Sequence, residues 1–103
     1  MWDHYDGHMH VVNHKAIRLF CEEHPHAASA MDHWYRVAKR AIWANVAEVK
    51  QSFNTADFVA PYVIFDIGGN KYRLVAEISF SRRVLFIRWI LTHKEYVKGA
   101  WKS

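Results

Sequence analysis

The chain has 103 residues, of which 51% are hydrophobic and 16% aromatic, and it carries 14 Lys and Arg against 10 Asp and Glu. This length fits one domain with a substantial core, and the apolar content excludes an intrinsically disordered chain. A long apolar run, residues 84–91, is interrupted by Arg88 and is too short to cross a membrane.

The chain has one cysteine, Cys21, which therefore cannot form an internal disulfide. No apolar segment of the kind found in secretion signals opens the sequence. Both features predict a cytoplasmic protein. Cys21 itself falls on the apolar stripe of a predicted helix, which indicates a small core residue.

The first eight residues are polar and rich in histidine, unlike the rest of the chain. Either Met9 is the natural start and residues 7–9 are a cloning junction, or the extension is native. We therefore divide the chain into an extension or cloning remnant, residues 1–8, and a single domain, residues 9–103. The histidines of this region lack the thiolates and spacing that fix a metal, so we predict no metal site and no cofactor. They are His4, His8, His10 and His14.

In chain order, residues 9–12 predict a short strand, and Asn13 is a suitable N-cap for the helix that follows. Ile17 and Phe20 lie at helical spacing, and Pro25 ends the pattern.

A second, longer helix is predicted by an apolar stripe opposite a charged face. The stripe consists of Met31, Trp34, Tyr35, Ala38 and Ile42. Asn45 with Glu48 three residues later resembles a capping box, which predicts a third, short helix.

Beyond Asp57 the composition shifts to β-branched and aromatic residues, with turn residues at 68–70 and 81–83. We expect three strands joined by two hairpins, over residues 59–67, 71–80 and 84–92. Residues 93–101 then predict a short helix packed back on the sheet. The predicted fold class is α+β, with the N-terminal strand and two to three helices on one face of a small twisted antiparallel sheet.

Alternation along the strands separates a face toward the helices from an open face. Lys71 and Arg73 fall on the open face of the second strand, and Arg88 falls on the open face of the third. Asp66 of the first strand would lie near them. On the same alternation, Trp89 and Leu91 would point toward the helices.

The open face also receives the apolar residues Ile64, Val75 and Phe86. These could contact a protein partner or the C-terminal helix, and the sequence does not decide between the two.

Charge is divided unevenly along the chain. Residues 1–66 carry six Lys or Arg and eight Asp or Glu, whereas residues 67–103 carry eight Lys or Arg and two acidic residues. Such a basic segment is suited to a polyanion such as RNA. Charge alone is equally consistent with a solvated surface that aids solubility.

Three ordered blocks of the C-terminal half resemble the signature of HigB toxins in the RelE-like superfamily: GNKYRLVA at 69–76, VLFIR at 84–88 and THKEY at 92–96. Shorter upstream pieces follow in the same order, so that the resemblance covers about residues 9–98. Leu91 and Val97 depart from the Gly and Asp that the family has there.

The resemblance implies a RelE-like fold and the toxin of a type II toxin-antitoxin system. Such a toxin is an mRNA interferase, an endonuclease and hydrolase that cleaves messenger RNA on the ribosome and inhibits translation. Its partner would be a HigA-like antitoxin with a helix-turn-helix domain.

Metal-free RNA cleavage uses the 2′-hydroxyl as nucleophile, so the protein must align the phosphate, stabilise its charge and move protons. Arg73 and Arg88 are suited to the phosphate oxygens because guanidinium forks match phosphate geometry. His93 is a candidate acid or base, although regular alternation would point it toward the core. Tyr96 could stack on a base or donate to phosphate.

The remaining basic residues are candidates for RNA binding: Lys71, Lys94, Arg82, Arg83 and Lys98. Two non-enzymatic readings stay open, a toxin that blocks its target as gyrase poisons do, and a generic RNA-binding domain. His93 and Tyr96 near Arg73 favour catalysis, because a binding protein has no need of a proton-transfer group.

Overall fold

The structure is a computed structural model that describes residues 7–102. Four α-helices and five strands make up this part of the chain, and each helix in it is too short or too polar to span a membrane. In order they are β1 (His10–Val12), α1 (His14–Glu23), α2 (Ala28–Arg40), α3 (Val46–Ser52), β2 (Asp57–Val59), β3 (Tyr62–Ile67), β4 (Tyr72–Ser79), β5 (Val84–Thr92) and α4 (His93–Lys98). The fold class is α+β, as predicted.

Three helices cover one face of the sheet and bury their apolar stripes there. Ile17 of α1, Met31 and Trp34 of α2 and Val49 of α3 are all at most 6% exposed and belong to one core cluster. The three predicted helices and the face on which they pack are confirmed, except that Ile42, assigned to the apolar stripe of the second helix, lies beyond the end of α2 and is 62% exposed.

The start of α1 differs from the prediction. Asn13 occupies the N-cap position, but its backbone is left-handed at φ 78° and its side chain does not cap the helix. Its side-chain amide instead donates to the carbonyl of Ile87, at 3.3 Å. Asn13 thus joins the end of β1 to β5, while Asn45 caps α3 as expected by accepting from the backbone N–H of Glu48.

The strands form one sheet in the order β1-β5-β4-β3-β2. The pairs from β2 to β5 are antiparallel, and β1 adds parallel to β5 over three residues, so that the sheet is mixed rather than purely antiparallel. A parallel neighbour requires a long crossover, which the whole helical half of the chain provides.

The first predicted strand, residues 59–67, is wrong as a single element. The chain turns at Ala60–Pro61, where the peptide bond is cis, and makes two antiparallel strands, β2 and β3. Proline has no backbone N–H to donate to a neighbouring strand, so a continuous strand is disfavoured at Pro61.

A bulge in β5 overturns the predicted alternation of that strand. Val75 lies opposite Trp89, but the next residue of β4 lies opposite Ile87, so that Arg88 is the extra residue. Trp89 and Leu91 therefore lie on the open face, whereas the helix-side core receives Ile90.

The chain end covers part of the open face. After α4, a short 3₁₀ turn, Ala100–Lys102, places Trp101 against Ile64 and Val75, and Trp101 is 6% exposed. The predicted packing of the C-terminal segment on the sheet is confirmed. Ile64 and Val75 are therefore covered by this segment of the same chain. Phe86 lies elsewhere, with the guanidinium of Arg88 over its ring.

Candidate functional site

Arg73 is the centre of the site and is 8% exposed, which is unusual for an arginine. Its register partner on β3 is Asp66, as the alternation predicted, and its Nε lies 3.0 Å from Asp66 Oδ1. One terminal nitrogen donates to the Tyr72 carbonyl, at 3.2 Å, and the other to Asn70 Oδ1. Burial and pairing together hold this guanidinium in one orientation.

These three contacts use three of the five N–H groups of Arg73. Within the part of the chain that the structure describes, one N–H on each terminal nitrogen is left for a ligand. Two free donors on one planar cation can bind a phosphate through two of its oxygens.

Tyr96 of α4 lies beside Arg73, whose guanidinium carbon is 5.2 Å from the centre of the tyrosine ring. The ring is also stacked on Trp101, with centroids 5.3 Å apart and planes 16° apart. The indole N–H of Trp101 donates to the Tyr96 carbonyl, at 3.2 Å. Two planar groups therefore already contact this ring, and the hydroxyl is the part of Tyr96 best placed to act on a ligand.

The position of Tyr96 depends on how α4 begins and ends. Thr92 and Glu95 form a capping box at its N-terminus. Gly99 ends it at φ 76°, a left-handed conformation that favours glycine and turns the chain back toward the sheet. Both ends of α4 are thus specified by local sequence.

Arg73, Asp66 and Tyr96 line a polar cleft of about 360 Å³ on the open face, which we call the Arg73 cleft. Its opposite wall comes from α3, the loop after it and the first residue of β2, and consists of Lys50, Asn54, Thr55, Ala56 and Asp57. Sequence analysis missed these residues, because nothing in a short helix and its loop indicates that they reach across to β4.

The other predicted residues near this end of the sheet are solvent-exposed. The backbone N–H of His93 donates to the Lys71 carbonyl, at 2.9 Å, which places His93 at the same end as Arg73. The side chains of Lys71, His93, Lys94 and Lys98 are exposed. His93 begins α4 instead of continuing β5, so the predicted core-facing orientation does not arise.

Three predicted residues lie apart from the Arg73 cleft. Arg88 forms an ion pair with Glu77, at 2.9 Å, and borders a groove against α1. Arg82 and Arg83 occupy the β4–β5 turn, about 20 Å away along β4 at about 3.3 Å per residue. Arg83 donates to the carbonyls of Gly7 and Ile42, which indicates a structural role.

The remaining titratable and metal-binding candidates do not extend the site. Burial raises the pKa of the Cys21 thiol above its ordinary value, and Cys21 packs on the helix-side core. Across residues 7–102, no three His, Cys, Asp or Glu side chains gather as a metal ion would require. His4 lies outside the described residues.

Comparison with known proteins agrees with this architecture. Residues 27–99 match the HigB toxin family, described as the RelE-like toxic component of a toxin-antitoxin system. The mRNA interferase HigB of Escherichia coli O6:H1 is 28% identical over 93 residues, which cover 87% of this chain and 90% of that protein.

The mRNA interferase toxin HigB of E. coli K12 and the mRNA interferase HigB of Shigella flexneri are each 26% identical over 91 residues. The alignment covers 85% of this chain and 88% of each relative. The family match spans more than half of the chain and includes Arg73, Tyr96 and most of the Arg73 cleft. The chain therefore belongs to the HigB toxin family, the RelE-like toxic component of a toxin-antitoxin system.

Proposed function

We propose that this protein is an endoribonuclease that cleaves messenger RNA at the Arg73 cleft and so inhibits translation. Its relatives of similar length are mRNA interferases. The observation that carries the proposal is Arg73, a nearly buried cation fixed by three contacts, with two N–H groups left for a phosphate.

In the proposed reaction the ribose 2′-oxygen attacks the adjacent phosphorus and loses its proton. The bond from phosphorus to the 5′-oxygen of the next nucleotide breaks, and that oxygen takes up a proton. A 2′,3′-cyclic phosphate and a 5′-hydroxyl remain. No metal or cofactor is needed, because a general base, a general acid and a charge-stabilising cation suffice.

Arg73 is proposed to stabilise the extra negative charge on the phosphorane oxygens. The Tyr96 hydroxyl and the His93 imidazole are the proposed proton carriers, since Tyr96 lines the Arg73 cleft and His93 begins the same helix. Lys50 and Lys71 add positive charge for the RNA backbone, and Lys94 and Lys98 extend it along α4.

The proposal includes a cytoplasmic location, action on ribosome-bound message and neutralisation by a HigA-like antitoxin. Membership of a toxin-antitoxin family supports an antitoxin partner. Arg82 and Arg88, which lie away from the cleft, are proposed to attract RNA or the ribosome rather than to take part in chemistry.

A second candidate is a toxin that blocks its target without cutting it. The three contacts of Arg73 with Asp66, Asn70 and Tyr72 favour it, because they would also suit an arginine that merely ties β4 to β3 and the turn. The two candidates differ in whether message is cut.

The test compares wild type with Arg73→Ala in a translating extract, with cut ends mapped by primer extension. We expect wild type to cut, and Arg73→Ala to cut slower by a factor of about 10² to 10³, as when one transition-state donor is lost. Arg36→Ala is the matched control, since Arg36 is an exposed arginine of α2 paired with Asp32. Intact message with wild type would contradict the nuclease proposal and favour the blocking toxin.

A further inference from the structure

A second cleft, next to the Arg73 cleft, lies between α2 and the end of β3 and has a volume of about 560 Å³. We call it the α2 cleft. Its polar lining comes from His26, Ser29 and His33 on the helix side, Ser52 at the end of α3, and Asp66. This volume is in the range of small-ligand sites, and the mixture of apolar floor and few polar groups is typical of them.

The two clefts meet at Asp66, which lines both. β2 pairs with β3 only as far as Ile64, so the described part of the chain has no strand along the outer edge of β3 at residues 65–67. Asp66 therefore lies at an open rim, 28% exposed, where an extended ligand can pass from the open face to the helix side. A single RNA strand is such a ligand.

Trp34 forms part of the apolar lining of the α2 cleft. It is 1% exposed, and its indole Nε1 has no hydrogen-bond partner in residues 7–102. That nitrogen is itself enclosed by protein, so the indole offers a ligand in the cleft an apolar surface rather than a hydrogen bond.

Within the proposed function, we infer that the α2 cleft binds the nucleobase of a nucleotide next to the scissile phosphate. Asp66 Oδ1 contacts Arg73, which leaves Oδ2 to accept a hydrogen bond from a base. Every nucleobase has an N–H donor on its Watson–Crick edge, an amino group in adenine, cytosine and guanine and the ring N3–H in uracil, so this acceptor suits any of the four. Ser29, Ser52 and the two histidines offer further hydrogen bonds to the base edges, as single-stranded RNA recognition uses.

The inference is tested by filling the cleft with Ser29→Trp, because Ser29 is exposed on α2 and can accept a larger side chain. Ala47→Trp is the control, which puts the same ring at an exposed position of α3 that lines neither cleft. Both variants are first compared with wild type by thermal unfolding. The probes are uncuttable 2′-O-methyl hexanucleotides of A, C, G or U, measured by fluorescence anisotropy.

We expect wild type to bind the probes, and the one that it binds most tightly is used to compare the variants. Ser29→Trp should weaken the preferred probe about 5- to 100-fold, the range that loss of one stacked base produces, and Ala47→Trp should not. Binding of none of the four probes by wild type, or equal binding by wild type and Ser29→Trp, would overturn the inference. These measurements need no cleavage, so a failure of the nuclease proposal would be recognised separately, by intact message.

Discussion

Asp66 is the anionic partner of Arg73 and holds its nearly buried guanidinium in place. Replacing its carboxylate by an amide in Asp66→Asn keeps the shape but leaves a nearly buried guanidinium without its anionic partner. We expect a loss of about 1.5–3 kcal/mol in the free energy of unfolding, the usual cost of losing a hydrogen bond to a charged group. Urea denaturation followed by fluorescence measures it.

The control for this change is Asp32→Asn, which breaks the exposed pair between Asp32 and Arg36. Exposed pairs contribute about 0–1 kcal/mol, because water screens them and holding the side chains costs entropy. Similar losses in the two variants would mean that the Arg73 pair is no more than a surface contact.

The Cys21 thiol gives a second prediction at the scale of a residue. Because burial raises its pKa, less thiolate is present in the folded protein than at an ordinary cysteine at the same pH. We expect iodoacetamide to react slowly at pH 8 and at the ordinary rate in urea. This group also makes stability fall as pH rises above the unfolded-state pKa, because the folded protein holds its proton longer. Equal alkylation rates with and without urea would refute the first expectation.

At the scale of elements, α4 carries Tyr96 and His93, and its first turn depends on Thr92. Removing the hydroxyl in Thr92→Val should destabilise the protein by about 1 kcal/mol and loosen the stack of Tyr96 on Trp101. Near-ultraviolet circular dichroism reports the stack, and cleavage should slow with it.

Asn45→Ala serves as the comparison for Thr92→Val, because it removes the cap of α3 and leaves α4 intact. Thr92→Ser should restore both signals, since serine supplies the same acceptor. If Asn45→Ala changed the aromatic signal as much as Thr92→Val, the effect would reflect general destabilisation.

Most elements could be predicted because their signals are local. The stripe through Met31 and Trp34 requires a helix with a buried face, and the glycines at 68–69 require a turn. The bulge at Arg88 could not be predicted, since nothing in the local sequence marks which strand residue is left unpaired. That one residue changed the faces assigned to Trp89 and Leu91.

In the candidate site, too, contacts set by strand alternation could be predicted, whereas contacts set by the packing of distant elements could not. Alternation placed Arg73 beside Asp66 correctly, and the register confirms it. The wall that carries Lys50 was missed because it depends on how α3 packs against the sheet, which is a long-range property. The reactive role proposed for His93 is untested, and its exposed position at the start of α4 is the structural fact that bears on it.

At the scale of the whole molecule, exposed basic residues surround the Arg73 cleft, whereas Arg83 uses its guanidinium on backbone carbonyls. Binding of uncuttable RNA should weaken with salt, and each lysine that contacts phosphate adds about 0.7 to the slope of log K against log salt. Lys94→Ala combined with Lys98→Ala should lower that slope by up to about 1.4, and Arg83→Ala should leave it nearly unchanged. If Arg83→Ala lowered the salt slope as much as the double lysine variant, the basic residues would attract RNA diffusely, without a defined path.

The central proposal is that the protein cuts RNA with the ribose 2′-hydroxyl at the Arg73 cleft. The most direct measurement gives wild-type protein a message that it cuts in a translating extract, and the same message with one 2′-deoxynucleotide on the 5′ side of the cut. The account predicts a 2′,3′-cyclic phosphate end on the first substrate and no cut at that position on the second. Cleavage of both substrates at equal rates, or a first product without a 2′,3′-cyclic phosphate end, would contradict it.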